Sequence, residues 1–293
     1  MVKSPQSFGY QSMGTTWKVS IWDDLESSVL ADLERSILAR SKAFDQTYSR
    51  FIKSSLICSL SEKRGIVAVP KDLVTMLRLY EKFFDYTDGK VTPLVGFALS
   101  DLGYDSEYSL KPKSVIRPVP NFHQALRIVD DTHIELLDSV LIDLGALGKG
   151  YFVDVLSSFL KSRGIRRFLV DGSGDIYYHG GGVAIRAGLE DPGDATKAIG
   201  VVEMKEGSMC ASGINRRKWD KYHHVLDPTS LTSPSDILAV WVLAEKAALA
   251  DGLATCLFFA EPERLQKNFT FEYCILNHER KVKRSKGFNA ELF

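Results

Sequence analysis

Cysteine is scarce. The chain of 293 residues has 4, and no two of them form a CxxC pair. Cys58, Cys210, Cys256 and Cys274 each lie in a mostly apolar segment. That excludes the usual zinc spacings and predicts buried free thiols in reducing surroundings. Net charge is absent too: Lys+Arg 37 against Asp+Glu 37 gives a formal +0. Without a basic excess, neither nucleic acid nor an anionic membrane is expected as the main partner. No apolar run approaches the roughly 18–20 residues that cross a bilayer, so no integral membrane segment is expected. Met1 to Tyr10 is polar and lacks the apolar stretch of a secretory signal. The expected location is therefore cytoplasmic as the sequence stands, or that of a periplasmic lipoprotein if a leader was removed. No internal repeat and no low-complexity segment occurs.

What is present is ordinary globular material, 45% hydrophobic and 25% charged. The length accommodates one large α/β or α+β domain, or two smaller ones. The centre of the chain is Ile142-Asp143-Leu144-Gly145-Ala146-Leu147-Gly148-Lys149-Gly150. Val140 to Ile142 reads as a short strand ending at Asp143. Phe152, Val153, Leu156, Phe159 and Leu160 then repeat at helical spacing as far as Gly164. A glycine-rich turn at a helix start presents backbone N–H groups to an anion, and Lys149 adds a full charge there. The natural guest is a phosphate or pyrophosphate, although such a turn also serves as a plain tight connection. Its spacing is neither that of a P-loop nor GxGxxG.

The rest of the chain reads as strands and amphipathic helices. Trp17, Val19 and Ile21 alternate as a strand after a bend at Met13-Gly14. Residues 25–44 form a helix, then break at Thr47 to Phe51. Leu73 to Phe84 form another, with Pro70 outside it and Asp72 as its cap. Residues 92–105 read as loop, and 111–120 as a surface connection. Short strands are expected at 126–129, 133–137 and 166–170. Ile176 to Tyr178 and Val183 to Ala187 read as a hairpin around Gly180-Gly181-Gly182, with further strands near 199–204 and 208–211. His223 and His224 are adjacent, so in a strand they face opposite ways and one imidazole at most enters a pocket. Ile237 to Ala244 is a strand and Glu245 to Phe259 a helix, followed by strands near 271–276 and 281–284. In that helix Asp251 and Thr255 are four apart and share a face. An inward Asp must be paired or hold a cation; the plainer reading leaves Thr255 in the core and Asp251 in solvent.

Taken in order, these segments resemble one family, the FAD:protein FMN transferases of the ApbE or thiamine-biosynthesis-lipoprotein type. The resemblance rests on Met13-Gly14-Thr15, Tyr48-Ser49-Arg50-Phe51 with Ser55, and Asp143 to Gly150. It continues through Gly174-Asp175-Ile176, Ser212-Gly213, His224-Val225-Leu226-Asp227-Pro228, and Ala250-Asp251-Gly252-Leu253-Ala254-Thr255. It implies an α+β fold: one large ApbE-like domain over residues 5–285, of mixed, largely antiparallel sheets flanked by helices. It implies Mg²⁺ bound by the Ala146 carbonyl, the Asp251 carboxylate and the Thr255 hydroxyl. Met13, Tyr48, Asp143, Lys149 and the Val225 backbone would contact FAD, with Lys90, Val91 and Thr92 near the nucleotide. The implied reaction is Mg²⁺-dependent transfer of FMN from FAD to a Ser or Thr of an acceptor protein, a redox subunit, with release of AMP. Lys149 and Asp251 would act in it, and His224 is the expected base. The alternative is an FAD-binding protein, or a Mg²⁺-dependent FAD pyrophosphatase yielding FMN and AMP. The chain departs from the family pattern after Asp227-Pro228, where Thr229-Ser230-Leu231-Thr232 lacks a glycine.

Overall fold

The computed structural model describes residues 4–215 and 217–293, so the first three residues of the polar N-terminal segment lie outside it. In chain order the elements are β1 (Gln6–Ser12), β2 (Thr15–Ile21), α1 (Ser27–Tyr48), α2 (Leu56–Leu60), β3 (Gly65–Ala68), α3 (Lys71–Tyr86), α4 (Gly96–Asp101), α5 (Phe122–Ala125), β4 (Leu126–Ile128) and β5 (His133–Leu136). The second half runs α6 (Gly148–Ser162), β6 (Phe168–Asp171), β7 (Ile176–His179), β8 (Ile185–Asp191), β9 (Asp194–Met204), β10 (Glu206–Gly213), β11 (Lys218–Trp219), β12 (Tyr222–His223) and β13 (Ile237–Ala244). It closes with α7 (Ala247–Cys256), α8 (Pro262–Leu265), β14 (Glu272–Asn277), β15 (Val282–Arg284) and β16 (Ala290–Leu292).

An eight-stranded antiparallel sheet, ordered β1-β2-β6-β7-β10-β13-β14-β15, is the backbone of the fold. Its side chains alternate between two cores, as the two-residue strand period requires. Trp17, Val19, Phe168, Val170, Cys210, Val240 and Val242 face one core, which they build with α1, α3, α6 and α7. Ile176, Met209, Ala239, Trp241, Cys274 and Leu276 face the other, against Ala187, Leu189, Val202 and Phe288. The second face is thus covered by a smaller sheet, ordered β16-β9-β8. This is the α+β, largely antiparallel architecture expected. No helix among the described residues is long and apolar enough to cross a membrane, and all 4 cysteines are free thiols, three of them buried.

Several expectations need correction. Val140 to Ile142 is buried but pairs in no sheet. Its polar backbone bonds elsewhere: Gly96 N–H donates to Leu141 O and Asp143 N–H to Pro93 O. Residues 92–105 are not all loop, because α4 occupies part of them. Gly96 lets it lie against the buried segment; a Cβ there would sit 2.2 Å from Leu141 O. Asp72 is not a cap; it lies in the first turn of α3 and accepts from the Tyr151 hydroxyl. The triple glycine does not close a hairpin: β7 stays in the large sheet while β8 leaves for the small one. Helix α1 runs four residues beyond the expected end and carries Tyr48 in its last turn.

Candidate active site

A cavity of about 540 Å³ lies where the glycine turn, α6 and α7 meet the loops between strands. Met13, Tyr48, Lys90, Val91, Thr92, Asp143, Ala146, Lys149, His224, Val225, Asp251 and Thr255 all line it. Every residue expected in the site from the sequence is thereby brought to one place.

The floor is made by two helices that cross closely. At Gly150, an added Cβ would sit 2.3 Å from the Ala247 carbonyl oxygen and 2.7 Å from Asp251 Cβ, so the crossing depends on glycine. The same closeness lets Gly150 N–H donate to Asp251 Oδ2 at 2.9 Å. Gly150 is the third residue of α6, where a helix offers its N–H no carbonyl of its own, so Asp251 satisfies that donor from outside. Ala146 lies ahead of the first residue of α6, so its carbonyl stands outside the helix ladder, while the Ala146 N–H donates to the buried Tyr80 hydroxyl at 3.1 Å. Asp251 itself is buried, and desolvation raises its pKa against the opposing pull of Lys149. A buried carboxylate, a spare carbonyl and the Thr255 hydroxyl on one cavity wall form an all-oxygen set. Such a set suits a hard divalent cation that takes its other ligands from phosphate and water. Among the described residues, no cluster of three or more His, Cys, Asp or Glu could hold a metal alone.

Helix α7 begins without a cap of its own. Asp154 of α6 supplies one, accepting from Ala247 N–H and Ala248 N–H, each at 2.9 Å. Burial pushes the Asp154 carboxyl up to about 6, against the pull of those two amides.

The charged walls are assembled in pairs. Lys149 is ion-paired with Asp175, which is almost wholly buried. Asp143 takes the Arg50 guanidinium on one oxygen and Gly145 N–H on the other, at 2.7 Å. Arg50 also donates to Tyr104 O at 2.8 Å and stacks on Phe51, with its guanidinium carbon 4.2 Å from the ring centroid. Its Nη2 is buried and has no hydrogen-bond partner among the described residues. Lys90 Nζ lies 2.8 and 2.9 Å from the two Asp227 oxygens. Arg50 and Asp175 stood in recognised motifs but carried no expected role. Their partners are too far away in sequence for a local pattern to reveal; Arg50 and Asp143 are 93 residues apart.

The histidine pair divides as expected, one buried and one at the cavity, although β12 ends at His223 and His224 lies in the bend beyond it. His223 is buried, with Nε2 2.8 Å from Pro234 O and Nδ1 accepting from Val225 N–H at 3.3 Å. Burial lowers its pKa, so it is a neutral structural pin. His224 faces the cavity. Because His223 holds the Val225 N–H, Val225 offers a ligand its carbonyl or side chain. At the entrance Met13 and Gly14 take φ of 51° and 69°, the left-handed pair of a two-residue hairpin between Ser12 and Thr15. Beyond Asp227, Leu231 holds φ of 56°. The family pattern has glycine at this point. Leucine bears the backbone strain and packs against the cluster of Leu99, Leu102 and Trp219.

Cationic side chains, an oxygen donor set and a helix start around a deep cavity define a site for a phosphorylated ligand. The chain belongs to the ApbE family, whose pattern it matches over residues 13–272. Among its relatives is the FAD:protein FMN transferase of Vibrio cholerae, 27% identical over 232 residues, covering 75% of this chain and 68% of the relative. The protein of the same name from Treponema pallidum is 25% identical over 275 residues, covering 84% and 76%. In structure the chain resembles the ApbE protein of Thermotoga maritima, with a TM-score of 0.85 at 21% identity, covering 97% of this chain and 98% of the other. It also resembles the flavin transferase ApbE of Vibrio cholerae, with a TM-score of 0.79 at 22% identity and the same coverages. At these identities the structural likenesses speak for the fold.

Proposed function

We propose that this protein transfers the FMN portion of FAD to a Ser or Thr hydroxyl of an acceptor protein and releases AMP. The observation that carries this reading is the floor of the cavity. There the Asp251 carboxylate, fixed by the Gly150 N–H, lines the cavity together with Ala146 and Thr255. The names borne by the relatives point the same way.

In this reading the acceptor oxygen bonds to the FMN-side phosphorus. The bond from that phosphorus to the bridging oxygen breaks, and its electron pair leaves with AMP. His224 takes the proton of the attacking hydroxyl. Lys149, positioned by Asp175, and Arg50, through its unpaired Nη2, meet the charge of the phosphates. Mg²⁺ held by Ala146, Asp251 and Thr255 would supply further neutralisation of the pyrophosphate. Asp143 keeps Arg50 in place, while Met13 and Tyr48 offer apolar surface to the flavin ring.

The test is incubation with FAD, Mg²⁺ and a threonine-containing acceptor domain, read by intact mass. The expected result is acceptor heavier by one FMN less one water, with AMP in equal amount. Free FMN and AMP with an unmodified acceptor would instead make the protein an FAD pyrophosphatase, with water in the place of the hydroxyl.

A further inference from the structure

A second cavity, about 290 Å³, lies on the other face of the large sheet. One wall of it is β8, the outermost strand of the small sheet, paired with β9 on one side only. Ile185, Arg186, Ala187, Gly188 and Glu190 of that strand all line the cavity. Successive strand residues point to opposite faces of a sheet, so a cavity touching a face meets every second residue. One that meets four in a row lies along the strand's edge, where backbone N–H and C=O groups are presented. The floor is different. Ile176, Met209, Ala211 and Trp241 come from one face of the large sheet and offer side chains. The two cavities are neighbours: Ser173, Ala211, Ser212 and Gly213 line both.

We infer that this groove seats the acceptor as an extended polypeptide, added to β8 as a fourth strand of the small sheet. The inference rests on the transferase reading above and specifies how the protein substrate is held. An edge of unpaired backbone over an apolar floor is what strand addition uses: main-chain bonds give affinity whatever the sequence, and the floor selects alternate side chains. A strand alongside β8 would lie about 4.8 Å from it, over the second face of β6 and β7. The shared residues then set the groove beside the phosphate site, so that one hydroxyl of the bound strand is presented at that border. A flavin nucleotide on the helix side and a peptide on the strand side would approach the reacting phosphorus from separate entrances.

The probe is a pool of short synthetic peptides, each with one central threonine and randomised flanks without proline. It is used with the full chain, FAD and Mg²⁺. Adjacent residues of an antiparallel strand send their N–H groups to opposite sides. Of Ala187→Pro and Gly188→Pro, one therefore breaks a bond to β9 and the other removes only an outward donor. The outward variant is the one that keeps the wild-type melting temperature. It should keep FAD hydrolysis and lose about tenfold in kcat/KM for peptide labelling, the weight of a lost hydrogen bond plus a steric clash. On the wild type, a labelled peptide remade with alanine for threonine should slow amide hydrogen exchange within residues 185–190. This measurement decides the matter if both proline variants melt early. Undiminished labelling by the outward variant, or protection that falls elsewhere, overturns the inference. So does a wild type that hydrolyses FAD but labels no peptide. A wild type that neither binds nor turns over FAD overturns the transferase reading itself.

Discussion

The two faces of the large sheet carry different kinds of polar chemistry. On the helix-covered face, charges are matched before any ligand arrives: Lys149 with Asp175, Arg50 with Asp143, Lys90 with Asp227. Two of these pairs contain a side chain nearly sealed from water, and such pairs hold their geometry because the alternative is an uncompensated buried charge. On the strand-covered face the cavity meets the backbone edge of β8. Fixed side-chain charges suit a ligand of invariant shape; an exposed backbone edge suits a polymer whose sequence varies. The contrast teaches where tolerance to mutation should lie, and it can be broken or sharpened from either side.

The largest effect is expected from Lys149→Met, which leaves Asp175 buried without its partner. The cost should be about 3–5 kcal/mol, read as a fall in the denaturant midpoint, and Lys149→Met/Asp175→Leu should recover much of it. If the single variant is as stable as the wild type, the helix face is not held by charge pairing. Asp251→Ala comes next: AMP release should drop about 10²–10³-fold, as when one preorganised electrostatic group is lost. Its stability balances the loss of a carboxylate that burial makes costly against the orphaned Gly150 N–H, so the drop in AMP release should exceed any change in melting temperature. Unchanged turnover would refute the cation assignment. Gly150→Ala should cost about 1–3 kcal/mol by forcing α6 and α7 apart, and should lower activity together with melting temperature.

The smallest effect concerns Asp154. Its folded pKa of about 6 lies above the unfolded value of about 3.9, so the folded state holds the proton more tightly. The stability this group contributes is complete below the unfolded pKa and is lost as pH rises through 6. Going from pH 7 to 5 should therefore stabilise the wild type by about 1 kcal/mol relative to Asp154→Asn, measured by paired urea titrations. Parallel curves for the two proteins would remove Asp154 as the source.

Elements with a strong period were readable in advance: α3 from its apolar stripe, β13 from its apolar run, α7 from its alanine-rich face. β1 was not, because its exposure alternates between half-buried and exposed and its residues look polar. Val140 to Ile142 misled for the opposite reason: it has a strand's composition, but its carbonyls and amides are claimed by the α4 region instead of a ladder. The triple glycine signals a turn correctly, yet nothing local says that the chain changes sheets there. In the site, Asp251 and Thr255 were legible because they share a helix face. Asp175 was not given a role, since only the folded sheet brings it to Lys149.

The cap that Asp154 lends to α7 makes two distant stretches of the chain depend on each other. The helix bearing Asp251 and Thr255 has its first turn closed by a carboxylate about ninety residues upstream. A chain severed between the two would yield halves that are each inert, and reactivity should return only when both are mixed and dock.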